Sequence, residues 1–164
     1  MNTPLLIVIA VLVLFSAFFS SAETAFSSLN KVRLKSSETD ENKKKIEKTL
    51  VLAENYDMVL STILIGNNIV NIAASSIATL FFTGVLGDNS DLAATVSTIV
   101  MTVVVLIFGE ITPKTMAKER AEKFAVFVTP AIRFFVFVFI RSTLRSRAGK
   151  NCFQRFSSLT VTLP

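Results

Sequence analysis

Three short stretches set oxygen-bearing side chains inside otherwise apolar runs: F-S-S-A-E-T-A at Phe19 to Ala25, I-G-N-N-I-V-N at Ile65 to Asn71, and F-G-E-I-T-P-K at Phe108 to Lys114. In the first, Ser20, Glu23 and Thr24 are spaced i, i+3, i+4 and share a helix face. In the second, Asn67, Asn71 and Ser75 recur every four residues, one above another, with Gly66 leaving room beside them. In the third, Gly109 and Pro113 bracket Glu110. A proline has no backbone N–H and loosens the turn before it, so carbonyls near residues 109 and 110 are freed to act as ligands. Hydroxyls, amides, freed carbonyls and one or two carboxylates make an all-oxygen set, suited to a hard cation such as Mg2+, Ca2+ or Na+. The chain has no histidine and a single cysteine, Cys152, which excludes zinc, haem or copper sites of ordinary type and an internal disulfide.

The elements that must position these residues are membrane helices. Of the 164 residues 51% are hydrophobic and 18% charged, and the mean hydropathy is +0.59, on the apolar side of a soluble domain. Three runs are long enough to cross a hydrocarbon core of about 30 Å: about 5–29, 58–82 and 92–112. The leader M-N-T-P carries no Lys or Arg, which argues against a cleaved secretory signal. The net charge of +5 does not point to nucleic acid, because the basic residues fall in blocks beside the apolar runs. Lys31, Arg33, Lys35, Lys43, Lys44, Lys45 and Lys48 lie between the first two spans, which the positive-inside rule makes cytoplasmic. The turn from Thr83 to Asp91 holds Asp88 and Asp91 and no basic residue, and belongs outside. The amino terminus is then outside and the carboxyl terminus cytoplasmic.

Two further segments are expected at the cytoplasmic face. One is a short helix over about 41–56, with Ile46, Leu50 and Ala53 on its apolar side. The other, about 114–140, is apolar from Phe124 to Ile140 but holds Pro130 and Arg133 near its middle. A central Arg costs about 2.5–3.5 kcal/mol to insert, so this segment reads as a broken amphipathic or re-entrant helix in the headgroups. The fold class is therefore all-α membrane protein, one domain over 1–140. Residues 141–164 form a basic tail without clear period, read as disordered or as a remnant foreign to the domain. Counted along the helices, Ser20 lies roughly 16 Å from Lys31, Asn67 roughly 13 Å above Met58 and Glu110 about 6 Å above Lys114. The three interruptions thus share the inner half of the bilayer, where a cavity open to the cytoplasm satisfies them together.

The three motifs in this order, with a basic connection after the first span, resemble the transmembrane domain of the CorC/CNNM family of magnesium transporters, over roughly Leu5 to Ile140. The resemblance implies three spanning helices, a juxtamembrane belt, a homodimer in the cell membrane, and a Mg2+ site open to the cytoplasm. By position it assigns metal ligation to Ser20, Asn67, Asn71, Gly109 and Glu110. It further implies outward Mg2+ movement with Na+ as coupling ion, no enzyme activity, and a cytoplasmic CBS-pair module that this chain does not contain. Eukaryotic members tend to carry Asn where Glu23 stands. Two other readings compete. The polar residues are packing glue in a membrane-anchoring and dimerisation module, or Ser20 or Ser21 is a nucleophile with Lys114 as base in an intramembrane enzyme; the distance of Lys114 toward the interface weighs against the latter.

Overall fold

The first apolar run forms α1, Thr3–Ser27, in a computed structural model that describes residues 3–87 and 89–145, with side chains to residue 139. After Pro4, whose missing N–H costs nothing in a first turn, no glycine or proline interrupts it. The connection that follows contains α2, Lys31–Ser36, and α3, Lys43–Glu54. Asn30 caps α2: its side-chain oxygen accepts from the Arg33 N–H at 3.0 Å. The second run forms α4, Tyr56–Leu86, and ends at Gly87. The third begins with α5, Ser90–Val104, passes through a π-helical segment, Val105–Ile111, and continues as α6, Thr112–Glu119. The chain closes with α7, Ala121–Arg145.

Among the described residues the fold is all-α, and three helical stretches are long and apolar enough to cross a membrane: Thr3–Ser27, Tyr56–Leu86 and Ser90–Glu119. The third outruns its sequence-read end at 112, because the proline at 113 stands in the first turn of α6 and the helix proceeds through it. Lys114 to Glu119 therefore prolong the third span, and the separate helix starts at Ala121. That helix is continuous across Pro130 rather than broken there. Its buried positions Ala121, Ala125, Val128, Ile132 and Val136 repeat every three or four residues and form one face. Arg133 lies on the exposed side. The basic tail read from residue 141 falls within α7 as far as Arg145; the rest of it lies outside the described residues.

Two apolar clusters hold the bundle. One gathers Phe19, Ala22 and Phe26 of α1 with Leu52 and Ala53 of α3, Val59 and Ile63 of α4, and Val128, Ile132 and Val136 of α7. The other, toward the opposite end, gathers Val13 of α1, Ala74 and Ala78 of α4 and Met101 of α5. Hydroxyl pairs pin helices at two further places. Thr49 and Thr129 join α3 to α7 at 2.9 Å, and Thr79 and Ser97 join α4 to α5 at 3.0 Å. Large side chains such as Leu14, Ile72, Leu80, Ile99 and Val103 stay exposed on the spans, as a lipid solvent permits.

Between the two clusters runs a polar layer. Ser16 lies between Val13 and Phe19 on α1, and Asn67 and Asn71 lie between Ile63 and Ala74 on α4. The second polar interruption of the sequence falls in this gap in the apolar core, with Ser16 of α1 bonded to it.

Candidate functional site

Glycines let the helices meet at this layer. A Cβ on Gly66 would lie 2.5 Å from Phe19 Cζ, so the Phe19 ring occupies the space that Gly66 leaves. A Cβ on Gly109 would lie 2.9 Å from Ser16 Oγ, so the π segment backs directly onto α1 at Ser16. Ser16 Oγ in turn donates to Asn67 Oδ1 at 3.2 Å. One buried hydroxyl thus touches all three spans.

The π geometry places the third motif. The Thr112 N–H reaches back five residues to the Ile107 carbonyl, the wide-turn bond that defines such a segment. Pro113 then offers no N–H to either Phe108 or Gly109, the carbonyls that a π or an α register would pair with it. Gly109 is buried against α1, while Glu110, the next residue, turns toward a cleft between α4 and α5. That cleft, about 250 Å3, is lined by Asn71, Ser75, Met101, Thr102, Val105, Leu106 and Glu110.

Of the five residues read from the sequence as ligands, the structure brings Asn71 and Glu110 into one cleft. It brings Asn67 and Gly109 together through Ser16. Ser20 lies one turn below Ser16, fully buried, and does not line the cleft. Two oxygens stand out: Ser20 Oγ and Asn71 Oδ1 are buried and have no hydrogen-bond partner among the described residues. A buried polar atom left unpaired costs about 1–3 kcal/mol, so a native fold keeps one for a reason. Among the described residues no three His, Cys, Asp or Glu side chains cluster. An ion here would rest on neutral oxygens and a single carboxylate.

Glu23 does not join that set. Its Oε2 lies 3.2 Å from Lys114 Nζ, an ion pair between α1 and α6. Lys114, considered as a base for a serine nucleophile, has a carboxylate for its partner.

Two contributors escaped the motif reading. Ser16 sits in an apolar run and looks like a small packing residue, yet it falls four residues before Ser20 and seven before Glu23, on the same stripe. Thr102, which belongs to none of the three motifs, lines the cleft while donating back to the Thr98 carbonyl at 2.7 Å.

Three spanning helices joined around a buried layer of hydroxyls and amides define a multi-pass membrane domain. The chain belongs to the CNNM family: residues 7–144 match the Cyclin M transmembrane N-terminal domain. Curated relatives agree. A UPF0053 protein of Haemophilus influenzae is 42% identical over 127 residues, covering 76% of this chain and 29% of that protein. The UPF0053 inner membrane protein YfjD of Escherichia coli is 40% identical over 112 residues, 67% of this chain and 25% of that protein. A chloroplastic DUF21 domain-containing protein of Arabidopsis thaliana is 37% identical over 119 residues, 73% of this chain and 18% of that protein. The chain spans less than a third of the length of each.

Proposed function

We propose that this domain carries Mg2+ across the cell membrane, taking it up from the cytoplasmic side at the polar layer and releasing it outward, with inward Na+ movement as the driving force. Membership of the CNNM family supports a transport role, and the direction, the coupling and the choice of Mg2+ follow the resemblance of the three motifs. Glu110 supplies the charge, Asn67, Asn71 and Ser20 supply neutral oxygens, and the Gly109 carbonyl completes the set. The observation that carries the proposal is the pair of unpartnered buried oxygens, Ser20 Oγ and Asn71 Oδ1, the latter in the same cleft as Glu110. Mg2+ wants six oxygens at about 2.0–2.1 Å and parts reluctantly with water. A cleft of about 250 Å3 is several times the roughly 30 Å3 share of one water, so an ion can enter with part of its shell.

In this reading the amino terminus faces outside, the chain works as a homodimer in the plasma membrane, and the longer relatives' remaining length includes a CBS-pair module. Isothermal titration of the purified protein with Mg2+ tests the site. Asn71→Ala and Glu110→Ala should each weaken binding at least about tenfold, which is about 1.4 kcal/mol, while both variants elute as wild type does. Unchanged affinity in both would overturn the assignment. Stopped-flow flux in liposomes, with and without a Na+ gradient, tests transport and coupling.

One observation favours a different role for Asn67. Its Oδ1 already accepts a hydrogen bond from Ser16, which is how an amide glues membrane helices. If the whole layer is glue in an anchoring and dimerisation module, liposome flux is absent and Asn67→Ala weakens association instead of ion affinity.

A further inference from the structure

The Glu23–Lys114 pair lies outside the ligand set, yet it is built on the same two strips. On α1 the stripe Ser16, Ser20, Glu23 descends by four and three residues. On the other wall Lys114 follows Glu110 by four. Glu23 and Lys114 therefore close the end of the polar layer where α1 finishes and α6 begins, with their charged atoms 3.2 Å apart. Both side chains keep solvent access, at 28% and 39% exposure, whereas Ser20, one turn further in, is buried with its Oγ unpartnered. Along α1 from that end the carboxylate comes first and the orphaned hydroxyl next.

We infer that Glu23 is an entry subsite for the incoming divalent cation, and that the Lys114 ammonium is a tethered stand-in occupying it when no metal is there. This rests on the cation-transport reading. An ammonium on a flexible four-carbon stem is a compact point charge able to give way. A divalent ion carries twice its charge, so it competes for the same carboxylate and displaces it. The displaced lysine is left without its counter-charge, and this opposes residence of the metal. The pair would keep the subsite neutral at rest and weak enough for the ion to move on.

The two partners should then act in opposite directions, which a merely structural ion pair does not do. In purified protein titrated with MgCl2, Lys114→Met removes the competitor and should tighten binding about threefold to tenfold. Glu23→Gln should weaken binding and slow Mg2+ entry in stopped-flow flux, and Lys114→Arg, which keeps the charge and grips a carboxylate at least as firmly, should not tighten binding. The inference is overturned if both neutralising variants shift affinity in the same direction, or if neither shifts it. Should Lys114→Met fail to fold, Glu23→Gln decides alone, and an affinity and entry rate equal to wild type overturn the inference. Absence of Mg2+ binding in the wild-type protein would instead overturn the transport reading itself.

Discussion

Replacing Gly66 by alanine would set a methyl carbon 2.5, 2.6 and 3.0 Å from three ring carbons of Phe19. Non-bonded carbons sit at about 3.5–4.0 Å, so the ring must turn or α1 and α4 must part by about 1 Å. The ring has little freedom to turn. It is 1% exposed, with Phe18 at 5.5 Å and Phe135 at 5.1 Å between centroids. Overpacking of this kind costs about 1–3 kcal/mol, offset by about 1 kcal/mol from alanine's better helix propensity. Parting the helices also stretches the adjoining Ser16–Asn67 bond, now 3.2 Å, past the range where it counts, a loss of about 0.6–2 kcal/mol. The expected net destabilisation is about 0.6–4 kcal/mol. Equilibrium unfolding in mixed detergent micelles measures it, with Mg2+ titration on the same samples expected to show weaker binding. A Phe19→Leu background shortens the obstructing side chain, and there Gly66→Ala should cost at least about 1 kcal/mol less. Equal cost in both backgrounds, or a Gly66→Ala variant as stable as wild type, would refute the steric argument.

Two stability predictions use the same unfolding measurement. Thr49 and Thr129 are buried and share a hydrogen bond, so Thr49→Val or Thr129→Val alone leaves one hydroxyl without its cross-helix partner and should cost about 1–2 kcal/mol. The double variant removes both polar atoms and should cost less than the sum; strict additivity would speak against coupling of α3 to α7 through this pair. Gly87 has φ 72° and ψ −152°, a region open in practice to glycine alone, and among the described residues other than its chain neighbours no atom lies within 4 Å of an added Cβ. Gly87→Ala should therefore lose about 1–3 kcal/mol through the backbone only, and a neutral result would mean that the turn relaxes freely.

How much of this could be read from the sequence differs by element. Apolar run length located the three spans, since a helix that satisfies its own backbone is the available solution in lipid. The polar interruptions marked the layer where the helices meet, because isolated polar atoms at that depth need partners. Which atom partners which was not legible. Ser16 and Ser20 are the same residue type four positions apart, yet one is bonded and the other orphaned, and only the position of Asn67 on the opposing helix decides it. The attachment of Glu23 to Lys114 depends on α6 continuing the third span, and the proline at 113 suggested an end there. The continuity of α7 was hidden for a similar reason: Pro130 and Arg133 argue against a lipid-crossing helix but not against one whose other face packs on α1, α3 and α4. The π segment leaves no periodic signal in seven residues.

That segment has a geometric consequence for everything after it. A bond closed over five residues takes up one amino acid more than the ordinary turn needs, so the helix downstream is out of phase with the helix upstream by one position, about 100° of rotation. Gly109 backs onto α1 and Glu110 faces the cleft, as neighbours on any helix diverge, and the surplus sets how that pair is turned relative to the residues of α5 above it, without a break in the rod. Were the extra residue absorbed into a regular helix, the acid and the lysine after it would swing round the axis together. The third span thus behaves like a shaft with a built-in offset coupling, in which chain count sets the angle of the carboxylate relative to the helix above it.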